Sequence, residues 1–170
     1  MTESVPGLTD SLLKAMKAER DGNSFYMMAA NSTSDPKGRQ IFEVLAREEL
    51  DHLLFLKEHY DSWVKTGKLS PIAKLHDRLD LAGPSPLFSN SFRGRIADAH
   101  YEMSALSIGI QLEHDSMIFY RSQSDQTTEP EAKAFFAELA VWEQGHYHAL
   151  LKQQDELKDD YWSEAGFSPF

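Results

Sequence analysis

Apolar residues recur at helical spacing over four stretches of the chain, and polar breaks separate the stretches. From Leu8 to about Asn31 the positions Leu12, Ala15, Met16, Glu19, Asn23, Tyr26, Met27 and Ala30 fall on one stripe, as expected of an amphipathic helix. The cluster Asn31 to Asp35 and then Pro36 read as a stop and restart, because proline suits the first turn of a new helix. A second helix is predicted from Pro36 to about Lys65, with Ile41, Phe42, Leu45, Glu49, His52, Leu56, His59 and Trp63 along one side. Helix breakers crowd both ends of residues 66 to 90: Gly67 and Pro71, then Gly83, Pro84 and Pro86. This stretch reads as a long crossover with a short helix from Ile72 to Leu81. A third long helix, Ser91 to about Ser124, carries Leu106, Gly109, Ile110, Glu113, Met117 and Tyr120. After a break ending at Pro130, a fourth carries Phe135, Phe136, Leu139, Glu143, His146, Tyr147 and Leu150. The tail from Tyr161 to Phe170 reads as a short docked extension. Neither hairpin could bury its apolar face alone, so the expected fold is all-α: a four-helix bundle of two antiparallel hairpins, forming a single domain over 1–170.

Composition adjusts this picture at three points. A hydrophobic fraction of 41% with 26% charged residues belongs to a folded globular chain. No apolar run approaches the roughly 20 residues needed to cross a bilayer, and MTESVPGLTD lacks the basic start and apolar stretch of a secretory signal; a cytoplasmic protein without membrane contact is expected. The net charge of −10 disfavours nucleic acid, whose phosphates require a basic face. Cysteine is absent, which excludes disulfides, thiol catalysis and thiolate-ligated iron within these residues.

Carboxylates interrupt the apolar stripes in a repeated pattern. Glu49-Leu50-Asp51-His52 and Glu143-Gln144-Gly145-His146 are two Glu-x-x-His steps, and residues three apart share a helix face. The steps are offset by 94 positions (143 − 49), and the same offset carries Glu19 to Glu113, Tyr26 to Tyr120, Pro36 to Pro130 and Phe42 to Phe136. Glu19 and Glu49 are equidistant from the first break, as Glu113 and Glu143 are from the second, so an antiparallel hairpin brings each pair to one height. Four carboxylates and two imidazoles then converge. A carboxylate buried alone is costly, but four of them, formally −4, balance two divalent cations. Oxygen-rich sites with some imidazole suit iron or manganese, with zinc as a substitute.

With these residues in hand, the sequence resembles the ferritin-like di-iron superfamily, nearest its rubrerythrin and bacterioferritin branches. The resemblance covers the four helices and rests on Glu19 and Tyr26 with Glu49-x-x-His52, and on Glu113 and Tyr120 with Glu143-x-x-His146. It implies two iron ions bridged by Glu49 and Glu143, one completed by Glu19 and His52, the other by Glu113 and His146. It also implies that Tyr26 and Tyr120 hydrogen-bond site carboxylates. Ser116 stands where rubrerythrins carry a further glutamate that serves their ligand-swapping peroxidase cycle, and Leu50 stands where bacterioferritin has its haem methionine, so no haem is expected. The tail is shorter than the fifth helix of cage-forming ferritins. The function implied is a rubrerythrin-like di-iron oxidoreductase that reduces peroxide or dioxygen, a homodimer served by an external electron donor. The alternatives are a ferritin-like ferroxidase and iron-storage protein, and a metal-stabilised bundle without turnover. His59 is a candidate for lining a route to the centre; His76, His100, His114 and His148 are assigned no role.

Overall fold

The computed structural model describes the backbone of residues 7–75 and 100–164. Four long helices account for nearly all of it: α1 (Leu8–Ser32), α2 (Pro36–Thr66), α3 (His100–Gln126) and α4 (Pro130–Glu164). α1 packs on α2, α3 packs on α4, and α1 also meets α3. The chain is thus a bundle of four long helices in two hairpins, as its patterning implies.

Local chemistry sets the ends of these helices. The Asp35 carboxylate accepts from Gly38 N at 2.8 Å, capping an N-terminus whose first residue is Pro36, where a missing N–H costs nothing. α2 stops at Gly67, which adopts the left-handed conformation (φ 69°) and donates its N–H to Trp63 O. The two hairpin turns, 33–35 and 127–129, correspond under the 94-residue offset.

Two apolar clusters fill the bundle on either side of its middle. One gathers Tyr26, Ala30, Phe42, Leu45, Leu106, Leu150 and Leu157; the other gathers Leu12, Ala15, Leu56, Tyr120, Phe136 and Leu139. In every helix Glu19, Glu49, Glu113 or Glu143 falls between the residues given to one cluster and those given to the other. The polar centre is therefore a layer sandwiched between two hydrophobic plugs.

Some expectations shift. Met27 lies 44% exposed, at the edge of its stripe rather than in the core. Residues 72–75 are not helical, and the rest of the expected short helix, with His76, lies outside the described residues, as do residues 91–99 of the expected third helix. Tyr161 to Glu164 continue α4 instead of starting a separate extension, and residues 165–170 fall outside the description. No helix among the described residues is long and apolar enough to cross a membrane.

A buried bond not foreseen in the sequence ties the hairpins together. The Glu102 side chain, 5% exposed near the start of α3, accepts from Thr33 Oγ1 at 2.9 Å and Ser34 N at 3.3 Å in the α1–α2 turn. Glu102→Ala leaves both donors without that acceptor, so we expect a loss of about 1–3 kcal/mol in denaturant unfolding. A change within about 0.5 kcal/mol, the range of ordinary surface substitutions, would show that the bond does not hold the hairpins.

Candidate metal centre

Each Glu-x-x-His step presents its two side chains on the inner face of its helix, α2 for Glu49 and His52, α4 for Glu143 and His146. α1 supplies Glu19 and α3 supplies Glu113. All six are at most 4% exposed. Their ligand atoms form two overlapping groups, each within 4.8 Å: Glu19, Glu49, His52 and Glu143, and Glu49, Glu113, Glu143 and His146. Glu49 and Glu143 belong to both. All six residues singled out from the sequence thus come together in the fold.

Distances define two half-sites. His52 Nδ1 lies 3.3 Å from Glu19 Oε2 and 3.0 Å from Glu143 Oε1. His146 Nδ1 lies 3.4 Å from Glu113 Oε2 and 3.7 Å from both Glu49 Oε1 and Glu143 Oε2. Glu49 Oε1, both Glu143 oxygens and His146 Nδ1 are buried with no hydrogen-bond partner among the described residues. Buried polar atoms are almost always satisfied. Unsatisfied oxygens facing an unsatisfied imidazole nitrogen are a donor set that fits a pair of metal ions.

The tyrosines cross between hairpins. Tyr26 on α1 donates its hydroxyl to Glu113 on α3, and Tyr120 on α3 donates to Glu19 on α1. Burial, then the Glu113 charge for Tyr26 and the Glu19 charge for Tyr120, pushes both phenols well above their ordinary value, so each stays a protonated donor. The carboxylates without a shared role are thereby fixed in orientation from the opposite hairpin.

Three neighbours of the site were not singled out in the sequence. Glu48, 6% exposed, reaches from α2 to His146 Nε2 at 2.5 Å. Trp142 stands beside His52, ring centroids 5.2 Å apart and planes at 82°. Gly22 gives Glu49 its room: a Cβ there would lie 2.8 Å from Glu49 Oε2. Gly22 also lines a cavity of about 420 Å³ between α1 and α3, with Ala18, Leu112, Ser116 and Phe119 as walls and Tyr26, Glu49 and Glu113 at its inner end. His59, by contrast, accepts from Ser70 N at 3.2 Å and stacks on Phe135 (4.7 Å, 12°), which is packing rather than a route to the centre.

Burial of the carboxylates, and then their crowding, makes the cluster hold protons when no cation is bound. Burial raises Glu49 well above the carboxylate range, and the Glu143, Glu19 and Glu113 charges add to this. Burial and Glu143 lift Glu113 to about 8. Burial alone would raise Glu143, but His146 and His52 beside it hold it well below the usual range. Burial alone would lower His52, yet Glu19 and Glu143 bring it to about 10, and His146 is raised well above its ordinary value by Glu113, Glu143 and Glu48.

An all-helical bundle with a buried, duplicated carboxylate–imidazole cluster defines a ferritin-like protein with a site suited to a pair of metal ions. The Rubrerythrin family model matches residues 10–154, and the chain belongs to that family. Membership points to a di-iron-binding ferritin-like protein. Comparison with curated proteins and with solved structures finds no match.

The proton inventory sets the sign of the pH dependence. Glu49, Glu113, His52 and His146 all hold protons above their ordinary range, and a metal must displace them. Affinity therefore rises with pH across 6 to 8, by about tenfold per unit for each proton released. Anaerobic titrations at three pH values, with an indicator reporting proton release, check this. Affinity that does not change with pH would contradict it.

Proposed function

We propose that the protein is a di-iron oxidoreductase of rubrerythrin type, reducing peroxide or dioxygen at the bundle centre with electrons from a separate donor. The observation that carries the reading is the sharing of Glu49 and Glu143 by two ligand groups. Two cations in these groups would be bridged by both carboxylates, with Glu19 and His52 completing one and Glu113 and His146 the other. Four carboxylates then offset the charge of two divalent ions, which is the balance a buried site needs. The oxygen-rich donor set favours iron or manganese over structural zinc, and a redox-active pair bound there would supply the electrons for reducing a small oxygen species.

The chain's own residues supply the surroundings of that chemistry. Tyr26 and Tyr120 hold Glu113 and Glu19 in place with protons they do not readily lose. The hydrophobic plugs above and below close the layer at both ends of the bundle. The cavity between α1 and α3 gives a small molecule a path to Glu49 and Glu113, past Lys14, Lys17, Asp21 and Asp115 at its rim. Ser116 lines this cavity where a rubrerythrin-type glutamate would stand, so exchange of that ligand has no counterpart here. With no cysteine in these 170 residues, no thiolate-ligated iron among them can pass electrons on, and we propose an external donor and a homodimer as the working assembly.

Three experiments test the proposal. Ferrous ion loaded anaerobically at two per chain should be oxidised rapidly on adding peroxide or oxygen, followed by absorbance; a merely structural site shows no such change. Solution mass separates the storage reading, which demands a large closed cage where the enzyme reading expects a dimer. Substitution tests the bridges: Glu49→Ala or Glu143→Ala should lose both metals, and His52→Ala should mainly weaken one. Metal analysis that finds two ions retained in both glutamate variants would defeat the bridging assignment.

A further inference from the structure

The two halves of the centre repeat each other in their ligands but not in what backs them. A histidine that binds a metal through Nδ1 carries its proton on Nε2, and the partner of that N–H fixes the ring and raises its basicity. His146 and His52 both turn Nδ1 toward the carboxylates. Behind His146, Nε2 meets Glu48 Oε2 at 2.5 Å. Behind His52, which is 0% exposed, Nε2 has no hydrogen-bond partner among the described residues. The residue related to Glu48 by the 94-position offset (142 − 48) is Trp142, whose only N–H is a donor and whose ring stands nearly perpendicular to His52. One half thus has a carboxylate acceptor on the Nε2 of its imidazole, and the other has an indole beside its imidazole and no acceptor on Nε2 among the described residues.

We propose that the two half-sites hold their ions with unequal strength: the Glu113–His146 half binds tightly and fills first, and the Glu19–His52 half binds loosely and exchanges. Glu48 is the positioning residue that sets the difference. It acts on the metal only through His146, as an anionic acceptor that locks the ring and increases electron donation from Nδ1. Trp142 excludes water from the back of His52 without offering an acceptor, so that imidazole is the poorer ligand. The inference deepens the two-ion reading above and rests on it. Functionally, one ion becomes a fixed member of the centre and the other the one that comes and goes.

The test is an anaerobic titration of the whole chain with cobalt(II), whose visible bands report each ion as it binds. Two steps are expected, with constants about 10–100-fold apart, the range that a partner behind a ligating histidine commands. His52→Ala should weaken the loose step and leave the tight one unchanged, and His146→Ala should do the reverse. Glu48→Ala should bring the tight step down toward the loose one, whereas Glu48→Gln, which keeps an acceptor oxygen in the same place, should restore part of the difference. Trp142→Gln, placing an acceptor behind His52, should strengthen the loose step. Helicity by circular dichroism identifies any variant that has not folded, and the two histidine variants and Glu48→Gln assign the steps even if Glu48→Ala has not. A single shared constant in the natural chain, equal weakening of both steps by Glu48→Ala, or an unweakened loose step in His52→Ala overturns this inference alone. Failure to take up two ions at all overturns the two-ion reading and this inference with it.

Discussion

Four carboxylates are packed into the interior of a helical bundle, and nearly everything else in the structure follows from making that tolerable. An isolated buried carboxylate is too costly to persist ionised, and four within one layer repel one another besides. The chain meets the cost in two ways. When no cation is bound it keeps protons on Glu49, Glu113 and both imidazoles, so that the layer approaches neutrality. With two divalent cations the same layer reaches balance through the charge of the ions. The hydrophobic plugs on either side keep the dielectric low enough that neither solution can be replaced by simple hydration.

The tyrosine contacts show that the site is a property of the assembled bundle and of neither hairpin. Tyr26 reaches across from the first hairpin to Glu113 in the second, and Tyr120 reaches back to Glu19. Each half-site likewise mixes hairpins: His52 and Glu19 from one lie against Glu143 from the other. Separating the hairpins would strip the donor from both terminal carboxylates and break both shared ligand groups. Glu102, buried against the first hairpin's turn, reinforces the same dependence at one end of the bundle.

The sequence made the centre legible because its ligands repeat at a fixed offset and interrupt apolar stripes, two signals that survive without knowledge of helix rotation. Equal distance from a turn then sufficed to pair Glu19 with Glu49 and Glu113 with Glu143. Glu48 gave no such signal. It sits in the run Arg47-Glu48-Glu49, where a glutamate on a solvated face is the ordinary expectation, and only the crossing of α2 by α4 turns it toward His146. Gly22 could have been noticed, since a glycine three residues after Glu19 inside a helix costs about 1 kcal/mol and asks for a reason; the reason is the Glu49 carboxylate beside it. Met27 shows the opposite limit. Helical spacing brings it near the inner face, but beside the buried Tyr26 it lies just outside the core.

Two departures from the internal repeat lie directly beside the ligands, one toward α1 and α3 and one toward α2 and α4, and each has its own consequence. On the α1/α3 side the offset relates Gly22 to Ser116, two small residues that leave a cavity ending at Glu49 and Glu113. On the α2/α4 side it relates Glu48 to Trp142, two large side chains that close the backs of the imidazoles. The bundle is therefore open where a small molecule must reach the carboxylates and closed where the histidines must be held. The six ligand positions obey the repeat because two half-sites of the same shape need the same side chains. Their neighbours are free to differ, and the differences leave a cavity on one face and unlike surroundings for the two imidazoles on the other. A duplicated hairpin with identical surroundings would give a symmetric pair; this chain departs from symmetry one residue before each Glu-x-x-His step, where a change alters an imidazole without removing a ligand.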